Sequence, residues 1–361
     1  MAGLSDAKGR ILSIQSHVSY GYVGGKAAVF TLQCLGYDVD VVSTVNYSNH
    51  AGYGRSGGSK TTAAELTSIF AGMRQNELLV ADRLLTGYSP NAEGLSAIAE
   101  LVEELKRTRP NLVYLLDPVL GDSGRLYVSP DVIPIYKSML PHASIITPNW
   151  FEVETLTDIQ LVDLSSLRQA FHILHTTYHV PNVVMSSIPL KSWLADALPA
   201  SIRPYSAEDD ANAEYLICIA SSATPGNNSA EQVSAVYAQC VPAIPGYFSG
   251  VGDLFSALVL GHYYPSTPTT SSSEQLPLAY AASHALTTTH EVLRRSHESA
   301  LLLPEEERQP SDDELDRLNP LRKTRRMRGR ELRLIQSQDF IRGTDKVQLR
   351  RMEAWEGFWT V

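Results

Sequence analysis

The apolar positions of the chain follow two alternating periods. ILSIQS (11–16) and DVDVVSTV (38–45) place apolar and β-branched side chains as a pleated strand needs them. Between them, GKAAVFTLQCLGY (25–37) predicts a helix that stops near Gly36. TAAELTSIFAGM (62–73) predicts a second helix and DRLLTGY (82–88) a further strand. Ser89-Pro90-Asn91 then offers capping groups and a helix start. Leu95, Ile98, Val102 and Leu105 follow at spacings of three and four, which puts them on one helical face. LVYLLDPV (112–119) is continuously apolar, as in a strand buried on both faces. SIITPN (144–149) and NVVMSSI (182–188) repeat the theme around a helical segment at 163–178.

This alternation predicts an α/β fold, a three-layer α/β/α sandwich with a mostly parallel central sheet. EYLICIAS (214–221) and AVYAQC (235–240) have no helix between them and predict antiparallel strands at one edge. SGVGDLFSALVLGHYY (249–264) reads as a glycine turn opening a helix, and LAYAASHALTTTHEVLRRS (278–296) as another helix. The periodic pattern resumes in ELRLIQSQDFI (331–341), and no internal repeat or strong boundary interrupts the chain. A single domain over 1–361 is expected, with flexible insertions near 265–275 and 303–330. The first contains PSTPTTSSS. In the second, 305–316 holds seven acidic residues and 322–333 seven Lys or Arg. It reads either as a solvated, partly disordered insert or as a docking segment.

Composition narrows the classes. The chain has 361 residues, 43% of them hydrophobic, enough for a large core. A net charge of −9 disfavours a general polyanion binder, so no nucleic-acid partner is expected. Cys34, Cys218 and Cys240 are odd in number and lack metal-ligand spacing, which predicts reduced thiols. The N-terminus lacks the pattern of a secretory signal, and no stretch approaches the roughly 18 apolar residues of a membrane helix. A soluble intracellular protein without a membrane partner is expected.

Four segments at strand ends carry candidate chemistry. In Ser249-Gly250-Val251-Gly252-Asp253 the glycines permit a tight turn, and the helix start offers free N–H groups to an anion. Asp253 reads there either as a helix cap or as a general base beside an anion-stabilising nest. Asp117 and Asp122 bracket DPVLGD at the end of the most apolar strand. They suit magnesium beside a polyphosphate, or an aspartate-stabilised turn. In TPNWFE, Asn149 and Glu152 read as helix caps or as groups orienting a metal-bound water or a phosphate. Ser186-Ser187 ends NVVMSS. A fifth segment, GYVGGKAAV (21–29), is a near miss to a phosphate loop. Gly21 is followed after three residues by Gly25-Lys26 and then Ala27, one residue short and without the hydroxyl that would meet magnesium.

Taken together, SIQSHVSYGYVGGKAA, VNYSNHAGYG, LLTGY, LVYLLDPVLGD, LYVSPDVIPIYK, IITPNWFEVE, VVMSS and SGVGDLFSALVL resemble the ribokinase-like sugar and vitamin kinases, and within them the pyridoxal kinase family. The resemblance runs from residue 11 to 341. It implies phosphorylation of the 5′-hydroxyl of pyridoxal, pyridoxine and pyridoxamine by ATP. It implies Asp253 as general base and the backbone amides of Gly250, Val251, Gly252 and Asp253 as anion hole. Ser16, Val23, His50 and Tyr88 would hold the vitamin ring. Asp117, Asn149, Glu152, Ser186, Ser187, Ile244, Gly246 and Val251 would line the ATP site. Asp122 would serve Mg2+ with Glu152 nearby through water, and Asp117, Thr147 and Ser186 would surround a monovalent cation, K+ or Na+. A homodimer in the cytoplasm, with the nucleus as a further compartment, is implied as well.

The pattern is departed from at Ala51 and Val251, where the family often has threonine, and mildly at Ser186. A hydroxymethylpyrimidine-type vitamin kinase and a weakly active B6-binding scaffold are the alternative readings. Under the resemblance, Gly21, Gly24 and Gly25 let a loop fold over the vitamin, and Lys26 is a solvent-facing helix residue rather than a phosphate ligand.

Overall fold

Alternation within the central strands decides the layers. In Val113–Leu116, Tyr114 and Leu116 enter one core while Val113 and Leu115 enter the other. The computed structural model describes residues 8–122, 124–204, 214–224, 233–265 and 275–360. Its strands are β1 (Arg10–Val18), β2 (Asp38–Tyr47), β3 (Gly58–Lys60), β4 (Arg83–Thr86), β5 (Val113–Leu116), β6 (Gly121–Asp122), β7 (Arg125–Leu126), β8 (Ile145–Ile146), β9 (Asn182–Pro189), β10 (Tyr215–Ala223), β11 (Ser234–Pro242) and β12 (Glu353–Ala354). Ten of them form one sheet in the order β12-β11-β10-β9-β8-β5-β4-β1-β2-β3, and β6 and β7 form a separate hairpin. The run β9-β8-β5-β4-β1-β2 is parallel, and the pairings that add β10, β11 and β12 on one side and β3 on the other are antiparallel.

One face of the sheet is covered by the helices Ala63–Gln75, Ala92–Thr108, Ile133–Met139 and Leu164–His172. Leu95, Ile98, Val102 and Leu105 point into this core, as their spacing predicts, and Asn91 accepts from the Gly94 N–H to cap their helix. The other face is covered by Gly25–Cys34, Val251–His262 and Pro277–Leu301. The helix expected at 163–178 ends at His172 and gives way to a π-helical turn at Ile173–Thr177. The hairpin β6–β7 and the edge strands β3 and β12 are too short for periodicity to reveal. The buried thiols of Cys218 and Cys240 are pushed up to about 12 by loss of solvent, which keeps them protonated and inert.

Residues 266–274 of the expected polar loop lie outside the described residues. The charged segment differs from the sequence expectation. It folds into three short helices, Glu305–Arg308, Asp313–Leu318 and Pro320–Gly329. Its acidic and basic blocks are separate in sequence but complementary in space. Arg322 and Arg326 meet Asp316, Arg325 meets Glu306 and Arg328 meets Glu307. Arg326 is buried, so its pairing with Asp316 fixes a geometry, whereas the exposed pairs contribute little each.

The helix Val251–His262 is held at both ends. At its C-terminus, Arg83 from β4 donates from Nη1 to the carbonyls of Leu260 and Tyr263, each at 2.8 Å. Its guanidinium lies 5.4 Å and 5.3 Å from the rings of Tyr37 and Tyr264. Arg83 is only 8% exposed, and a cation at a helix C-terminus also favours the helix dipole. Arg83→Ala is expected to lower stability by about 3 kcal/mol, since charged donors to two buried carbonyls are lost. Urea denaturation checks this, and an unchanged midpoint would contradict it.

Candidate active site

The N-terminal end of the same helix carries the glycine turn. Gly250 caps it in the left-handed conformation, with φ 85°. Asp253 lies in the first helical turn but makes no capping bond. Its Oδ2 instead accepts from the Gly24 N–H at 2.7 Å. Of the two readings of Asp253 as a residue, the cap is therefore not the one the geometry uses. Two glycines permit this approach. A methyl group on Gly250 would come within 2.0 Å of the Tyr22 carbonyl oxygen, and one on Gly24 within 2.1 Å of Ser16 Oγ. The turn at 249–253 and the loop at 21–25 thus meet at backbone distance. Burial pushes the pKa of Asp253 up, and the Gly24 N–H works against that shift.

Below this turn lies a cluster of acids. Asp117, at the end of β5, accepts from Ser256 Oγ at 3.0 Å, and Ser256 Oγ lies 2.8 Å from Thr147 Oγ1. Ser256 is three residues beyond Asp253, one helical turn on, and is a site residue that the sequence reading missed. The i, i+3 spacing within GDLFS was the available signal. Burial raises the pKa of Asp117 well above the carboxylate range, and the nearby charges of Glu152 and Asp253 add to the rise. Glu152 is 4% exposed. It accepts from Leu120 N at 3.0 Å and from Asn149 N at 2.8 Å, while Asn149 Oδ1 accepts from Glu152 N at 2.9 Å. This is a capping box for the helix Trp150–Thr157, so the capping reading of both residues is correct. Burial lifts Glu152 to about 8 despite backbone hydrogen bonds that lower it.

The carboxylates of Asp117, Glu152 and Asp253 line one cavity of about 670 Å3 at the carboxyl ends of the strands, a volume suited to a nucleotide-sized ligand. Asp117, Asp122, Thr147, Asn149 and Glu152 are among its lining residues. Ser186, Ser187, Ile244 and the turn Gly250–Asp253 line it as well. Asp122 sits on the β6–β7 hairpin, and Ser187 holds an uncommon left-handed φ of 57° at the cavity wall. Gly246 does not line the cavity but forms a turn with φ 113°. The apolar wall formed by Val241, Phe248, Leu286 and Leu293 was not anticipated, because a helix stripe such as Leu286–Leu293 reads as ordinary core. Among the described residues, no group of three or more His, Cys, Asp or Glu side chains is arranged to hold a metal by itself.

Ser16, Val23, His50 and Tyr88 stand outside this cavity. They share the carboxyl ends of the adjacent strands β1, β2 and β4. Thr44 Oγ1 on β2 donates to the Tyr88 carbonyl beyond β4 at 2.7 Å. The contact between Gly24 and Asp253 joins this group to the cavity. Ala51 is exposed and opens the short turn Ala51–Tyr53. Lys26 does not line the cavity. It donates to the Ser19 carbonyl at 2.8 Å and lies 5.4 Å from the Tyr22 ring, so it braces its own loop rather than pointing to solvent.

Comparison with known proteins shows the family. The family model described as phosphomethylpyrimidine kinase matches residues 82–203. Pyridoxal kinase of Arabidopsis thaliana is 35% identical over 95% of this chain and 94% of its own length. The human pyridoxal kinase is 34% identical over 85% of this chain and 91% of its own. The structure of Leishmania donovani pyridoxal kinase in complex with ADP and pyridoxamine superposes with a TM-score of 0.72 at 28% identity, covering 96% of this chain and 99% of that one. With relatives of this identity matched nearly end to end, the chain belongs to the pyridoxal kinase family.

Proposed function

We propose that the chain transfers the γ-phosphoryl group of ATP to the 5′-hydroxyl of pyridoxal, pyridoxine or pyridoxamine, with Asp253 as the general base. The observation that carries the assignment of the base is the bond from Gly24 N–H to Asp253 Oδ2. It turns the carboxylate away from a capping role and sets it between the cavity and the loop of the expected vitamin side. Oδ2 is held, and Oδ1 is left to take the hydroxyl proton. The N–H groups of the turn at 250–253 would stabilise the negative charge that develops on the transferring group. The acceptors themselves are those seen in the relatives: the Leishmania donovani enzyme was solved with ADP and pyridoxamine and, separately, with ADP and pyridoxine.

The donor set fits hard cations. Asp117, Glu152 and Asp253 share a confined space, and the pKa of each is raised by burial. Cations bound nearby would relieve the repulsion that protons relieve otherwise. Mg2+ would be held by Asp122 with Glu152 behind it, and a monovalent cation by Asp117, Thr147 and Ser186, with Ser256 bridging the first two. Bound there, the ions supply charge neutralisation for the phosphate oxygens. Both carboxylate oxygens of Glu152 accept backbone N–H groups, so it would act on a bound Mg2+ through water.

The match to a pyrimidine kinase family at 82–203 does not favour that substrate. It includes Tyr88 but leaves out Ser16, Val23, His50 and Asp253, most of the residues that would touch the acceptor.

Asp253→Asn is expected to lower kcat by about 10²- to 10⁴-fold and to leave ATP affinity within about twofold, since it removes a proton acceptor and no nucleotide contact. Turnover of pyridoxal at the parent's rate would exclude Asp253 as base. The base works ionised, so activity falls as pH falls. Because the pKa of Asp253 is raised, the acid limb of kcat/KM lies above the ordinary aspartate value of about 3.9. A pH–rate profile checks the position of this limb, which is expected to vanish from the residual activity of Asp253→Asn. Lys26→Ala is expected to leave the KM for ATP within about twofold, whereas a loss of order 100-fold, the scale for a misplaced phosphate ligand, would restore the phosphate-loop reading.

A further inference from the structure

The charged segment ends two residues before a carboxylate that reaches far back into the fold. Glu331 Oε2 accepts from the Tyr22 N–H at 3.0 Å. Its Oε1 accepts from the Tyr53 hydroxyl at 2.7 Å and lies 3.1 Å from His50 Nε2. Tyr22 belongs to the loop after β1, and His50 and Tyr53 to the loop after β2. One side chain therefore ties together the two loops that carry Val23 and His50. We infer that Glu331 is a positioning residue for the vitamin side of the site, latching these loops together and setting the orientation and tautomer of His50. The inference rests on the reading of Val23 and His50 as walls of the acceptor pocket.

Hydrogen bonding fixes the tautomer. His50 Nδ1 accepts from the Gly52 N–H at 3.2 Å. The proton of the ring is then on Nε2, which donates to Glu331. With both nitrogens engaged, His50 offers its ring, not a hydrogen bond, to a neighbour. The ring sits 4.8 Å from that of Tyr53. Side-chain exposures of 9% for His50 and 11% for Glu331 keep the pair away from bulk water. Burial alone would raise the pKa of Glu331, but the hydrogen bonds from His50, Tyr53 and Tyr22 outweigh it and hold the group below its ordinary value. The acceptor of all three bonds is thus a carboxylate.

The surroundings are shaped for this side chain. A methyl group on Gly21, at φ 88°, would come within 2.5 Å of both Glu331 carboxylate oxygens. A methyl on Gly52 would come within 2.8 Å of the His50 ring and 3.0 Å of Met327 Cε. Met327 lies in the helix Pro320–Gly329, which Arg326 anchors to Asp316. The charged segment is the mount that delivers Glu331 to the loops. Gly21, the first residue of GYVGGKAAV, keeps open the space that the carboxylate fills.

Steady-state kinetics on the full-length chain, with pyridoxal and ATP varied separately, test this alongside NMR of the His50 ring nitrogens in substrate-free, 15N-histidine-labelled protein. Glu331→Gln is expected to raise the KM for pyridoxal by roughly tenfold to a hundredfold while the KM for ATP stays within about twofold. Gly21→Ala, which displaces the carboxylate without removing it, is expected to match that effect, and the double variant to add little to either single one. Glu331→Asp, which keeps the charge, is expected to recover part of the loss. The parent is expected to show a protonated Nε2 and an unprotonated Nδ1, and Glu331→Gln to lose that state. A pyridoxal KM in Glu331→Gln within about twofold of the parent would overturn the inference, as would an unchanged His50 tautomer. The tautomer is read without substrate, so it decides the latch even for a parent that turned over no pyridoxal.

Discussion

The site depends on two glycine turns meeting at backbone distance. Tyr22 and Gly250 come so close that no side chain fits between them, and Gly24 sits equally tightly on Ser16. There the Gly24 N–H reaches a carboxylate that belongs to another helix start. The contact makes one site from two halves of the chain, since residues 24 and 253 are separated by almost the whole sheet in sequence. It also determines what Asp253 does. A carboxylate in the first turn of a helix ordinarily folds back on its own N–H groups. Drawn outward by Gly24, it leaves those groups for an incoming anion.

The rest of the fold serves that contact. Parallel strands bring β1, β4, β5 and β8 to a common edge, so every candidate group emerges on one side of the sheet. Arg83 secures the far end of the helix that carries Asp253. Burying Asp117, Glu152 and Asp253 together is unfavourable while all three are ionised, as their raised pKa values express. Under the proposed function, bound cations would offset that concentration of negative charge.

Much of this was legible in the residue pattern. The strands that build the sheet centre have strong periodicity, and DPVLGD, TPNWFE and SGVGD stand at their ends or at the helix start that follows. Motifs of this kind are local, so a sequence displays them. What stayed hidden is relational. Ser256 is an ordinary helix serine until its hydroxyl is seen between Asp117 and Thr147. Leu286 and Leu293 are core residues until one side of that core is found to be a cavity wall. The segment at 305–329 reads as disordered because like charges are blocked together along the chain. Folding back opposes the blocks and pairs them. GYVGGKAAV is the clearest case. Its glycines suggest a broken phosphate loop, yet Gly24 meets the carboxylate of Asp253 and Gly21 makes room for that of Glu331.

The most direct test of the account is the structure of the protein with a non-hydrolysable ATP analogue and pyridoxal both bound. The 5′-hydroxyl oxygen is predicted within about 2.6–3.2 Å of Asp253 Oδ1, with Oδ2 still on Gly24 N–H and the γ-phosphoryl group over the turn at 250–253. A hydroxyl placed out of reach of Asp253, with that carboxylate turned back to cap its own helix, would contradict it.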